Sequence, residues 1–150
     1  IDSGELKGLQ PRLFDNLIIN AAAVDEKDHK RWVEQLDIQK RIYITSNKGD
    51  VNLLGVQLFT KYGKQLGERI KSSPAKNANY INFTDAIGFE LPPGVSHTYF
   101  IAEKAEEHPE IYEFYHQIFH GEAVQFENNI RFQKRKDGIG YDIILEEKKD

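Results

Sequence analysis

Arg41-Ile42-Tyr43-Ile44-Thr45-Ser46-Asn47-Lys48-Gly49-Asp50 reads as a strand, a turn and the first residue of a helix. Ile42, Tyr43, Ile44 and Thr45 are β-branched or aromatic, which suits a pleated, packed surface. Asn47-Lys48-Gly49 carries a turn signal. From Asp50 a helix is predicted over residues 50–70, because Leu53, Leu54, Leu58, Tyr62 and Leu66 recur near helical spacing. Gly63 and Gly67 weaken its end. On the N-terminal side, Phe14-Asp15-Asn16-Leu17-Ile18-Ile19-Asn20-Ala21-Ala22-Ala23-Val24 is nearly continuously apolar. Such a run suits a strand buried on both faces, as in a parallel sheet. Between the two strands, residues 25–36 read as a helix striped by Trp32, Val33 and Leu36. Asp25 is its expected cap, with Asp28 three residues on.

Further along, residues 71–79 form a polar loop around Pro74. Tyr80-Ile81-Asn82-Phe83-Thr84-Asp85 alternates and predicts a third strand. Residues 86–96 are a loop containing Pro92, Pro93 and Gly94. Residues 109–120 form a helix with Pro109 in its first turn and an apolar stripe of Ile111, Phe114, Tyr115, Ile118 and Phe119. Strands alternating with helices imply a mostly parallel sheet with helices on its faces. The tail has another character. Residues 123–126, 130–133 and 141–145 read as strands, and Asp137-Gly138 is a hairpin signal. Residues 1–12, polar with Gly4, Gly8 and Pro11, read as a helix end and loop. The expected organisation is therefore an α/β domain over 1–121 and a small β extension over 122–150.

Composition bounds the function. The 150 residues hold 39% hydrophobic and 29% charged side chains, the balance of a globular chain. A net charge of −4, with bases and acids interspersed, offers no footprint for nucleic acid. No apolar run reaches the roughly 20 residues of a membrane span. Zero Cys excludes disulfides, a thiol nucleophile and Cys-ligated zinc, and leaves the compartment open. The chain opens on Ile1 and contains no Met. We expect it to be the C-terminal part of a longer protein.

In open α/β sheets, ligands gather at the carboxyl ends of the strands. Asp25, Asp50 and Asp85 each follow a predicted strand, and His97 lies in the loop after the third. An acid after a late strand, followed by a His in a later loop, is the back half of a Ser…Asp…His triad. Each residue also has a plainer reading. Asp50 suits an N-cap. Asp25 and Asp85 read as caps or loop residues, with Asp85 the second choice of acid. His97 could make one structural hydrogen bond. His29, in a charged stretch, reads as solvated. His116 and His120, four apart, could both face a metal, but a site needs three or four ligands and no supporting Glu lies between them. No metal or cofactor is expected. Gly63-x-x-x-Gly67 says little in a soluble helix, and Gly138-Ile139-Gly140 is a turn rather than a nucleotide loop.

The run from Phe14 to about Gly121 resembles the C-terminal half of an α/β-hydrolase, and is most similar to a family of poorly characterised bacterial α/β-hydrolases. The matching pieces are Asn20-Ala21-Ala22-Ala23-Val24-Asp25, Ile42-Tyr43-Ile44-Thr45-Ser46-Asn47 leading to Asp50 and Leu53, and His97-Thr98-Tyr99-Phe100. Lys48-Gly49 adds length before Asp50, and the tail from Glu122 has no counterpart. The resemblance implies that Asp50 is the triad acid and His97 the base, with the nucleophile in an upstream His-Ser-Met-Gly-type elbow that this chain lacks. It implies a serine hydrolase of the esterase or lipase kind, acting on an ester. The alternative is a non-catalytic binding or assembly module on the same scaffold. A secreted bacterial lipase effector is a further reading by fold analogy. In either main reading a partner must cover the open sheet edge: the N-terminal portion or a second chain.

Overall fold

The computed structural model describes residues 13–59, 63–87, 96–100 and 107–145. The polar stretch 1–12, the Pro92-Pro93-Gly94 loop, Tyr62 and the charged end 146–150 lie outside these residues. In chain order the elements are β1 (Phe14–Ile19), α1 (His29–Val33), β2 (Gln39–Ser46), α2 (Val51–Phe59), β3 (Ala78–Asn82), α3 (Thr84–Ile87), α4 (Pro109–Phe119), β4 (Phe132–Lys134) and β5 (Tyr141–Ile143). The strands form one sheet in the order β1-β2-β3-β5-β4. The β1–β2, β2–β3 and β3–β5 pairs are parallel, and β4–β5 is antiparallel. The expected α/β class and mostly parallel sheet are therefore present.

The apolar run of β2 follows from burial on both faces. Tyr43 packs on one side with Ile81, Phe83 and Ile143, under the Ile111, Phe114, Tyr115 and Ile118 stripe of α4. Ile42 and Ile44 point to the other side, where Tyr80 joins Val33, Leu66, Ile70 and Ala75. Alternate residues thus enter alternate cores, as strand geometry requires. Phe119, expected in the α4 stripe, is instead 69% exposed.

Several predicted boundaries shift, each for a local reason. β1 stops at Ile19, and Ala21 turns the chain with φ 42°. The following alanines are not strand but receive a neighbour. Leu66 N–H donates to Val24 O and Gly67 N–H to Ala22 O, while Glu26 N–H donates to Lys64 O. This pairing corrects the helix predicted to run to residue 70. By Gly63 the chain is no longer helical, and Gln65 bridges Asp25 in antiparallel sense. Leu66, taken as part of a helical stripe, is a buried residue of a turn in a non-helical connector. Gly67 must be glycine, since a Cβ there would lie 2.3 Å from the backbone of Ala21 and Ala22.

The first helix is shorter than predicted. Asp28 sits at its N-cap without a side-chain bond, and Asp25 accepts from Lys27 N–H instead of capping it. β3 begins two residues earlier than predicted and ends at Asn82. Phe83 N–H donates to Ser46 O, and α3 starts at Thr84. The tail also differs: residues 123–126 form no strand, and β4–β5 is not a separate appendage. β5 pairs with β3 through Ile81↔Tyr141 and Asn82↔Asp142, so the hairpin completes the main sheet. Close approach depends on Gly140, at φ 74°, where a Cβ would lie 2.0 Å from Tyr80 O.

Candidate active site

Asp50 follows β2 and opens α2, and its two carboxylate oxygens have separate tasks. Oδ1 accepts from Leu53 N–H at 3.1 Å, the N-cap bond to the third helical residue. Oδ2 accepts from His97 Nδ1 at 2.7 Å. The helix cap and the contact with His97 therefore fall on separate oxygens of Asp50. Asp50 is fully buried, whereas the His97 side chain is 31% exposed. With Nδ1–H held by a carboxylate, the neutral ring carries its lone pair on Nε2.

What brings the two together is a set of polar residues to which the sequence reading assigned no role in the site. Asn47, read as a turn former, is wholly buried. Its Nδ2 donates to Ser96 O at 2.8 Å, and its Oδ1 accepts from Gly49 N–H at 2.9 Å. Its own N–H donates to Gly67 O. One side chain thus ties the acid-bearing turn to the residue before His97. Ser96 Oγ accepts from Val51 N–H at 3.4 Å, a second and longer tie. Each group replaces water lost on burial, which unpaired polar atoms could not tolerate.

Behind His97, Tyr99 is a wholly buried anchor. Thr45 Oγ1 donates to Asn20 Oδ1, so the Tyr99 hydroxyl donates to Thr45 Oγ1 at 2.8 Å. Tyr115 OH donates to the same Asn20 oxygen. The Tyr99 ring stacks on Phe83 with centroids 4.9 Å apart. Burial pushes both hydroxyls well above the ordinary phenol range, so both stay neutral donors. Phe100 meets the His97 ring edge-on at 6.5 Å. The imidazole is therefore fixed by its carboxylate, its preceding residue and its following aromatics.

Other candidates lie apart from this pair. Asp85, the second choice of acid, is exposed in the first turn of α3. Asp25 belongs to the pairing with Gln65. His29 is a correction: it is not solvated but fully buried. Tyr80 OH accepts from Ala75 N–H and so donates to His29 Nε2 at 2.8 Å, while His29 Nδ1–H donates to Glu26 O at 2.5 Å. Glu26 is buried beside it and accepts from Lys71 N–H and Ser72 N–H. Burial raises the Glu26 carboxyl, but those two amides, with the Ser72 hydroxyl and His29, leave the pKa below the ordinary value. His116 and His120 stack with ring centroids 4.0 Å apart, and His120 Nδ1–H donates to His116 O. Among the described residues, no group of three His, Asp or Glu side chains could hold a metal ion. Nor is any described helix long and apolar enough to cross a membrane.

Set against family models, curated proteins and solved structures, the chain has no match in any of the three comparisons.

Proposed function

We propose that this chain carries the acid and the base of a serine ester hydrolase of the α/β-hydrolase type, with Asp50 orienting His97. The observation that carries the reading is the 2.7 Å bond from His97 Nδ1 to a fully buried carboxylate, on a ring still open to solvent. A structural His is normally closed on both nitrogens, as His29 is here. A His bonded on Nδ1 and partly exposed suits a general base.

In this mechanism a Ser hydroxyl, supplied by an N-terminal portion of the protein or by a second chain, gives its proton to His97 Nε2 as its oxygen bonds to the ester carbonyl carbon. Asp50 stabilises the resulting imidazolium without taking its proton. Collapse of the tetrahedral adduct breaks the bond to the alkoxy group, which leaves with the proton from Nε2. Water, deprotonated by the same nitrogen, then cleaves the acyl-serine. The oxyanion donors come from the portion that bears the Ser.

The open edge of β1 supports a partner there. Among the described residues β1 is the outer strand of the sheet, and Leu13 before it and Phe14 at its start are 67% and 54% exposed. An unpaired, apolar strand edge is a template for another strand. The same edge is what favours the second reading, a non-catalytic assembly module. A fluorophosphonate probe on the full-length source protein separates the two. Covalent label on a Ser outside this chain, lost in His97→Ala, is the expected result. A folded protein that takes no label would leave the assembly module as the reading.

A further inference from the structure

A cleft of about 360 Å³ opens at the carboxyl ends of β2 and β3, between Ser46, Lys48, the 69–71 segment and the β4–β5 turn. It shares no residue with the Asp50–His97 pair. Its walls carry four cations, Lys48, Arg69, Lys71 and Arg135, against two carboxylates, Asp85 and Asp137. That balance runs opposite to the net charge of −4 on the whole chain.

The four cations are not equivalent. Arg135 is compensated: it bonds Asp137 at 2.6 Å and Asp142 at 3.1 Å. The guanidinium holds Asp137 below the ordinary carboxylate range. Arg69, Lys48 and Lys71 have no such neutralisation, since no ion pair joins any of them to a carboxylate of the described residues. Arg69 stands out further. Its Nε is buried, yet it has no hydrogen-bond partner among the described residues. A buried, unpaired guanidinium N–H costs free energy unless something accepts from it.

The wall that carries Arg69 and Lys71 is also built to stay in place. Glu26, 6% exposed, accepts from the backbone N–H groups of Lys71 and Ser72, and Ser72 Oγ donates to Glu26 O at 3.0 Å. Lys48 is held from the other side, its N–H donating to Thr84 Oγ1 at 2.9 Å. Ile70, Ile81 and Ile139 contribute an apolar lining. The volume lies at the lower end of small-molecule sites, roughly 300–1,000 Å³.

From this geometry we propose that the cleft binds a phosphate group carried on a small organic body, with the Arg69 guanidinium as its central donor and Lys48 and Lys71 as flanking charges. A guanidinium presents N–H donors in a planar fork that matches phosphate oxygens, and ammonium groups add charge without fixed geometry. The apolar lining accommodates the body of the ligand. The phosphate could belong to a soluble ester or to a lipid headgroup, and the chemistry of recognition is the same.

The test is calorimetric titration of the full-length protein with glycerol 3-phosphate at fixed ionic strength, beside sedimentation with vesicles of phosphatidylcholine with and without phosphatidic acid. Saturable binding of glycerol 3-phosphate without sedimentation identifies a soluble ester. Sedimentation only with phosphatidic acid identifies a lipid headgroup. Arg69→Gln should weaken the binding at least about tenfold, the scale of one lost charge-assisted bond. Lys71→Gln, on an exposed side chain, should weaken it by a few-fold and keeps the test decisive if the Arg69 variant does not fold. No binding in either format, unchanged affinity in a folded Arg69→Gln, or, where that variant does not fold, unchanged affinity in Lys71→Gln overturns the proposal. Because Asp50 and His97 take no part, fluorophosphonate labelling should survive the Lys71 variant, so failure here is distinguishable from failure of the triad.

Discussion

Asp50→Asn separates the two tasks of the buried carboxylate. Asn is nearly isosteric, and its amide oxygen can still accept from Leu53 N–H, so the helix cap persists. The other position changes sign. Oδ2, which accepts from His97 Nδ1 at 2.7 Å, becomes an amide nitrogen that can only donate. His97 must then turn its lone pair to Nδ1 and its proton to Nε2, the tautomer that cannot accept a proton from Ser. The stability cost is small: a charge-assisted bond worth about 1.5–3 kcal/mol gives way to a neutral one worth about 1 kcal/mol. A buried carboxylate is also spared its desolvation. We expect a net loss of about 1 kcal/mol, or a fall in Tm of about 2–4 °C. The rate effect is far larger, about 10⁴-fold, if the tautomer is what the carboxylate controls. Asp50→Ala sets the scale. Losing the cap costs about 1 kcal/mol and losing the His bond about 1.5–3 kcal/mol, together about 3 kcal/mol. The assay is thermal unfolding of both variants beside the rate of fluorophosphonate labelling of the full-length protein. An Asn variant labelled within about tenfold of wild type would refute the argument that Asp50 orients a base, since that change lies below any tautomer effect.

Three further outcomes follow from the same geometry. Gly67→Ala places a Cβ 2.3 Å from the Ala21–Ala22 backbone and breaks the seam that holds Asn47. Overpacking of this kind costs about 1–3 kcal/mol or more, and chemical denaturation should show it, with Gly63→Ala as the neutral control because nothing lies within 4 Å of its Cβ. Tyr80→Phe leaves Ala75 N–H and His29 Nε2 without their partner at 2.8 Å, and should cost about 1–3 kcal/mol in the same measurement. Glu26 governs an acid limb. Its folded pKa lies below the ordinary 4.5, so its contribution is fully present above that value and is lost as pH falls through the folded pKa. Glu26→Gln should therefore flatten the loss of stability below pH 4.5 while lowering stability at neutral pH, as urea melts from pH 3 to 7 would show.

The parts of the fold visible in the sequence are those set by short-range pattern. The β2 run was legible because burial on both faces leaves no polar residue between Ile42 and Ile44. α4 was legible because Ile111, Phe114, Tyr115 and Ile118 recur at helical spacing and Pro109 marks its start. Leu66 misled for the same reason. A buried leucine in a turn has the same hydrophobicity as one in a helix, and only the pairing of residues 64–67 with 22–26 distinguishes them. His29 misled in the opposite direction. Its charged neighbours predicted solvent, but Tyr80 lies 51 residues away and closes over it.

The candidate site divides along the same line. Residue type and chain order alone singled out Asp50 and His97, since a carboxylate at a strand end and a later loop His are local features. The 47-residue separation between them says nothing of whether they touch. Asn47, Ser96, Thr45 and Tyr99, which hold the pair together, carry ordinary turn or strand signals and are defined by partners about 50 residues distant. The cationic cleft was equally invisible, because Lys48, Arg69 and Arg135 are dispersed among acids along the chain. By itself the sequence determined which segments could bury apolar faces, and therefore the α/β class. Tertiary structure alone decided which polar groups lost water together, and it is that shared desolvation which selects their partners and builds both sites.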